Sequence, residues 1–89
     1  MTSDGDLRRC RVCGLEQDFL PWGEDGRNPT WVFCACCGVE FGYGDNNVVA
    51  ARRWRERWLQ AGANWDEPAE RPDDWSLEEQ LSHVPAEYR

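Results

Sequence analysis

The sequence lacks any long apolar run. Its 89 residues contain no stretch approaching the roughly 20 apolar residues that a membrane-spanning helix requires. Residues 1–6 lack the basic segment and following apolar stretch of a secretory signal. We therefore expect a cytoplasmic protein without membrane association, in a compartment where paired cysteines more often hold a metal than a disulfide.

Positive charge is also scarce. There is no lysine, and ten arginines face seventeen acidic side chains, which gives a formal net charge of −7. A general grip on nucleic-acid phosphates needs clustered positive charge. The balance of charges therefore argues against nucleic acid as the partner.

Recognisable catalytic patterns are missing as well. The sequence has no Ser–His–Asp arrangement, no phosphate-binding glycine loop and no HExxH motif. Nothing supports a Cys–His nucleophile, and no sign of a pocket accompanies the many carboxylates. We therefore expect a protein that is not an enzyme.

A chain of this length has little interior. Such a domain buries only about 60% of the surface that its unfolded chain exposes, and a metal, disulfides or a partner usually adds stability at this size. Six tryptophans supply large apolar area within a hydrophobic fraction of 40%. We expect a flexible N-terminus over residues 1–9 and a single zinc-stabilised domain over residues 10–89.

The cysteines supply the metal site that the small core needs. Cys10 and Cys13 belong to one CxxCG sequence, and Cys34 and Cys37 are the ends of a second one 20 residues further on. This spacing is close to that of four-cysteine zinc sites. Two intervening residues let both sulfurs face one ion, and the glycine permits the tight turn. Four thiolates leave no open position on tetrahedral zinc, so the sequence predicts a structural Zn²⁺ site.

Other interpretations of the cysteines stay open. Buried unligated thiols or disulfides would also account for them, although five cysteines cannot all pair with one another. A four-thiolate site accepts iron as well as zinc. Cys36 could replace Cys37 as a ligand, but we expect it to be a small buried spectator that points away from the metal.

Local patterns predict a small α+β fold, with a treble-like or ribbon-like cysteine subdomain packed on one main helix. Within the cysteine knuckles (residues 10–45), strand-like sequences occupy residues 30–33 and 39–43, so short β-hairpins are expected. Residues 46–62 are predicted to form the helix, with an asparagine cap and a terminal glycine. Residues 63–89 are expected to form an acidic loop and a short C-terminal helix that begins with a capping box.

Aromatic residues mark the expected buried surfaces. Trp54 and Trp58 fall on the apolar side of the main helix, and Trp31 falls in a predicted strand, so we expect all three in the core. Arg55 falls within the same apolar arc. Either its stem lies on apolar surface while its head reaches water, or it stacks on a tryptophan and pairs with a carboxylate.

Residues 34–45 read CACCGVEFGYGD, which resembles the signature of the small bacterial cysteine-rich CPCC family. The resemblance covers nearly the whole chain, and Ala35 departs from it by standing where the family name has proline. It implies a zinc-ribbon-like architecture and says little about activity. Some small bacterial proteins of this kind are similar to immunity proteins of toxin systems. Other matching positions are Cys10, Cys13, Gly14, Arg52, Trp54, Gly62, Trp65, Leu81, Val84, Pro85 and Tyr88.

The acidic last third of the chain is either a solubilising surface or a recognition surface for a basic protein partner, and the functional hypothesis follows the second interpretation. The most concrete form of this hypothesis is an immunity-type protein that occludes the basic active site of a toxin, with carboxylates mimicking phosphate and loop tryptophans as anchors. The predicted partner-binding residues are Trp65, Asp66, Glu67, Glu70, Asp73, Asp74 and Trp75.

Two alternative functions belong to different classes. A nucleic-acid-binding zinc ribbon would use the arginines of the main helix, although Glu56 and nearby acids weaken that stripe. A thiol redox or metal-sensing protein would use labile CxxC pairs. The helix arginines are Arg52, Arg53, Arg55 and Arg57.

Overall fold

Three α-helices carry most of the regular structure in the computed structural model, which describes residues 4–89. They are α1 (Asp4–Leu7), α2 (Val48–Gln60) and α3 (Leu77–Leu81). Two 3-10 turns, Pro68–Glu70 and Ala86–Tyr88, lie in the C-terminal third. No helix among the described residues is long and apolar enough to cross a membrane.

The main helix α2 forms where the sequence predicts it. It is shorter at both ends than the predicted range of residues 46–62. Asn47 is its N-cap, because the side-chain oxygen accepts a 2.8 Å hydrogen bond from the Ala50 amide. Ala51 and Trp58 are buried on the face turned to the core, and Trp54 is half-buried. The apolar side of α2 therefore packs against the cysteine half of the chain.

The short helix α3 begins at the predicted serine cap and docks on the cysteines. Ser76 Oγ accepts a hydrogen bond from the Glu79 amide over 3.2 Å. The buried Gln80 side chain donates from Nε2 to the Cys13 carbonyl over 3.2 Å and to Cys36 Sγ over 3.3 Å. One glutamine thus connects α3 to both cysteine turns.

The predicted strands do not form. Pairing between the described residues consists of two isolated antiparallel bridges, Arg9 with Glu16 and Phe33 with Glu40. Each bridge closes one CxxC turn. Positive φ angles of 63° at Trp31 and 110° at Gly42 end the extended backbone beyond the second bridge. The cysteine subdomain is therefore built from turns closed by single bridges, and the fold consists mainly of helix and turn.

The core is centred on the cysteines. Phe41 is fully buried and meets Phe19 edge to face, with 6.1 Å between ring centroids. Trp58 is buried as expected, whereas Trp31 is exposed because its left-handed backbone places it at the surface beside Gly42. The other buried hydrophobic residues of this cluster are Cys10, Val12, Cys13, Cys34, Cys36, Cys37, Val39, Ala51, Ala63 and Trp65.

The start of the chain makes specific contacts. Residues 1–3 of the expected flexible segment lie outside the described residues, and residues 4–7 form α1. Arg9 donates its amide to the Asp6 carbonyl over 3.1 Å, and the Arg8 carbonyl accepts from the Gln17 amide over 2.8 Å. The second of these bonds ties the segment to the residues that follow the first cysteine turn.

Candidate metal centre

Four cysteine sulfurs meet at one point in the interior. The Sγ atoms of Cys10, Cys13, Cys34 and Cys37 all lie within 4.8 Å of one another, and all four residues are buried. Sulfurs from different turns face each other across 3.7 Å (Cys10 and Cys37) and 3.6 Å (Cys13 and Cys34). A tetrahedron of sulfurs placed 2.3 Å from a central zinc has edges of about 3.8 Å. The group therefore has the size and donor chemistry of a four-thiolate metal site, and every cysteine in the chain is a free thiol.

The two CxxCG turns have the same backbone hydrogen bonds. Gly14 donates to the Cys10 carbonyl over 3.0 Å, and Gly38 donates to the Cys34 carbonyl over 2.9 Å. Both glycines have positive φ, 83° and 75°, as the sequence predicts for the position after the second cysteine. This geometry points both sulfurs of each turn to the same side.

Hydrogen-bond donors contact two of the sulfurs. Cys10 Sγ accepts from the Val12 amide over 3.4 Å, and Cys34 Sγ accepts from Gln17 Nε2 over 3.6 Å. Such contacts offset part of the negative charge that four thiolates would bring to the site.

The protons on the thiols oppose metal binding. Burial raises the pKa of Cys13 and of Cys37, because a thiolate is poorly solvated there. The pKa of Cys34 is lowered because the thiols of Cys10, Cys13 and Cys37 donate to its sulfur. Cys13 and Cys37 therefore favour their protonated forms, and an incoming ion must displace these two protons.

Cys36 is fully buried and lies outside the group of four. Its sulfur accepts from Gln80 Nε2 and also contacts the Cys13 thiol. Its bond with Gln80 gives Cys36 a contact with α3, and the spectator role stays a prediction.

Arg55 has a role that sequence reasoning missed. Its guanidinium donates from Nε to the Val12 carbonyl over 2.6 Å, and from Nη2 to the Arg11 and Tyr88 carbonyls over 2.9 and 2.7 Å. The partners of these two nitrogens are backbone carbonyls, where the sequence had suggested water or a carboxylate. Burial lowers the pKa of Arg55, while the nearby thiols of Cys10, Cys13 and Cys37 favour its charged form. One signal for this role was present in the sequence, which is that Arg55 falls on the apolar side of α2.

Sequence reasoning also missed a buried carboxylate. Asp45 is fully buried and accepts from Trp22 Nε1 over 2.9 Å and from the Gly42 amide over 2.8 Å. Burial raises the pKa of Asp45, although these hydrogen bonds oppose the shift. The guanidinium of Arg11 lies between the rings of Trp22 and Tyr88, at 3.9 and 4.4 Å from their centroids. This network joins the loop before the second turn to the C-terminus.

The predicted partner-binding segment divides into exposed acids and inward-facing tryptophans. Trp65 is buried and meets Trp75 edge to face, with 5.6 Å between centroids. Trp75 is half-buried and donates from Nε1 to Gln80 Oε1 over 2.8 Å. Trp65 therefore belongs to the core and presents no anchor to a partner. The exposed acids are Asp66, Glu67, Glu70, Asp73 and Asp74.

The acidic segment begins on the second cysteine turn. The amides of Asp66 and Glu67 donate to the carbonyls of Cys36 and Ala35 over 3.0 and 2.9 Å. The start of the acidic segment is therefore held against the second cysteine turn by its backbone.

The chain is similar to the uncharacterized protein YoaQ of Bacillus subtilis (strain 168). The two are 30% identical over 82 residues, which cover 73% of this chain and 68% of the relative. The chain belongs to the same family as this protein. No family model matches the sequence, and no solved structure matches it.

Proposed function

We propose that the chain is a small acidic protein-binding module whose fold is held by a structural zinc ion. The observation that carries the proposal is the set of four buried sulfurs within 4.8 Å of one another. Four thiolate ligands complete a tetrahedral shell and leave no position for substrate or water. The proposed ligands are Cys10, Cys13, Cys34 and Cys37, and the chain has no enzymatic role in this account.

Zinc is the ion that this account assigns. The same donor set accepts iron, but no other feature of the chain suggests electron transfer. The relation to CPCC proteins is part of the same proposal, and residues 34–45 support it. In this chain, single bridges close the cysteine turns.

Surface charge supports a basic protein as partner. The chain carries a net charge of −7, and Arg71 is the one arginine between the main helix and α3. An acidic surface speeds the encounter with a basic partner and orients it. In its most specific form, the proposal is an immunity-type protein that covers the basic active site of a toxin.

The geometry favours protein over nucleic acid as the ligand. Arg52 donates to the Arg89 carbonyl, and Arg57 lies over the ring of Trp54 at 5.6 Å from its centroid. Arg55 is occupied by three backbone carbonyls. Most of the arginine stripe on α2 is thus engaged within the chain.

Chelation tests the structural role of the metal. Natively purified protein should contain one zinc per chain and lose its circular dichroism signal when a strong chelator is added with reductant. Readdition of zinc should restore the signal. A chain that stays folded after complete metal removal would contradict the structural role.

Co-expression tests the immunity hypothesis. The product of the adjacent gene should inhibit bacterial growth when expressed alone, and growth should return when this chain is expressed with it. A variant with serine at Cys13 is the control, because it cannot complete the metal site and should not rescue growth. Equal rescue by both chains, or no rescue by the native chain, would contradict this form of the proposal.

A further inference from the structure

The second cysteine turn carries an exposed apolar surface. Trp31, Val32, Phe33 and Tyr43 are 56%, 44%, 60% and 73% exposed. We call these four residues the knuckle face. Contiguous exposed apolar surface on a soluble protein marks an interaction site.

The backbone beneath the knuckle face holds it in place. The Trp31 amide donates to the Phe41 carbonyl over 3.1 Å, and the Phe41 amide donates to the Val32 carbonyl over 2.9 Å. Phe41 itself is fully buried, and Phe33 precedes the proposed ligand Cys34. The knuckle face therefore stands on the core and on the metal centre.

Trp31 is held outward at a conformational cost. Its φ of 63° lies in the left-handed region, which a bulky side chain rarely adopts. A methyl group added at Gly42 would come within 2.8 Å of Trp31 Cζ3, so the indole lies directly against that glycine. A strained backbone that places a large aromatic group at the surface points to a function for that group.

Charge around the knuckle face indicates the kind of partner. No basic residue occurs between Arg27 and Arg52, whereas Glu40 pairs with Phe33 in the bridge. Asp66 and Glu67 are held at the tip of the same turn by the carbonyls of Cys36 and Ala35. A second copy of the chain would also carry a net charge of −7, so electrostatic repulsion between the two copies opposes self-association.

We propose that the knuckle face is the anchor through which the chain docks on a basic protein, with Glu40, Asp66 and Glu67 as its charged rim. The inference rests on the proposed protein-binding function and states where the partner lies. Aromatic residues supply much of the binding energy at such interfaces, while rim charges set orientation and association rate. The fitting partner surface has apolar residues surrounded by lysine or arginine.

A random 12-residue peptide library displayed on phage provides the probe. Selection on the metal-loaded protein should enrich peptides that combine arginine or lysine with large apolar residues. Phe33→Ser and Tyr43→Ser should each weaken binding of these peptides by about tenfold or more. Val49→Ser is the matched control, because Val49 is 61% exposed on α2 and lies outside the knuckle face. Peptide binding by this variant should change less than about twofold. Metal content and circular dichroism confirm that each variant is folded.

Three outcomes would overturn the inference in distinguishable ways. Binding that survives at Phe33→Ser and Tyr43→Ser but is lost at Asp73→Asn would move the interface to the acidic loop and leave the protein-binding function standing. Failure to enrich any peptide over the unfolded, metal-free chain would overturn the function together with the face. A dimer in sedimentation that Phe33→Ser abolishes would assign the face to a second copy.

Discussion

The Nε atom of Arg55 donates a 2.6 Å hydrogen bond to the backbone carbonyl of Val12, which lies between the first two cysteines. The same guanidinium reaches the carbonyls of Arg11 and Tyr88. One side chain of α2 therefore holds the first CxxC turn and the C-terminal 3-10 turn together. Val12 is fully buried, so water cannot readily replace this donor.

Replacing Arg55 by methionine should lower the free energy of unfolding of the metal-loaded protein by about 3 kcal/mol, because buried carbonyls lose a charged donor. Denaturant titration measures the change. Arg53→Met is the control, since Arg53 is exposed on the same helix and its loss should cost less than about 0.5 kcal/mol. Equal costs for the two substitutions would contradict the role assigned to Arg55.

Gly14 lies where the first turn meets α3. A methyl group at this position would overlap the Gln80 carbonyl oxygen, so Gly14→Ala must displace α3. Gly26→Ala is a matched control, because its φ of 71° is also positive while its nearest contact is the flexible Leu7 side chain at 3.3 Å. Thermal unfolding should show Gly14→Ala to be the less stable variant by about 2 kcal/mol or more. Similar melting temperatures would mean that α3 moves away at little cost.

Substitution of Cys36 and substitution of Cys13 should have opposite effects on metal retention. Cys36→Ser should keep one metal ion per chain, because serine can still accept from Gln80 and the four clustered sulfurs are untouched. Cys13→Ser should lose the metal and unfold. Elemental analysis with circular dichroism compares the two variants. Loss of metal from the Cys36 variant would instead identify Cys36 as a ligand.

Metal affinity should rise with pH. Burial raises the pKa of Cys13 and Cys37, so both hold protons in the neutral range and an incoming ion must displace them. Two protons released per ion correspond to about a 100-fold increase in apparent affinity per pH unit. Competition with a chelator of known affinity between pH 6 and 8 measures this slope. An affinity that does not vary with pH would contradict protonated thiols in the metal-free cluster.

Cysteine spacing predicts each half of the site because the geometry of each CxxCG turn is local. In each CxxCG sequence, the chain turns within five residues, and the glycine takes the positive φ that the turn requires. The helix over Val48–Gln60 was likewise predictable from its asparagine cap and apolar periodicity. Both features depend on neighbours in sequence.

Features that depend on distant neighbours were not predictable. The aromatic and β-branched residues at 30–33 favour a strand, but the left-handed backbone at Trp31 ends the pairing. Trp65 was predicted to bind a partner, yet it packs in the core cluster and against the ring of Trp75. The fully buried carboxylate of Asp45 depends on Trp22, 23 positions earlier in the chain.

The most direct test of the central claim is X-ray absorption spectroscopy at the metal edge of natively purified protein. The account predicts zinc with four sulfur neighbours at about 2.3 Å and no lighter ligand. A ligand shell that contains nitrogen or oxygen, or that has fewer than four sulfurs, would contradict this claim. A folded protein that contains no metal would also contradict it.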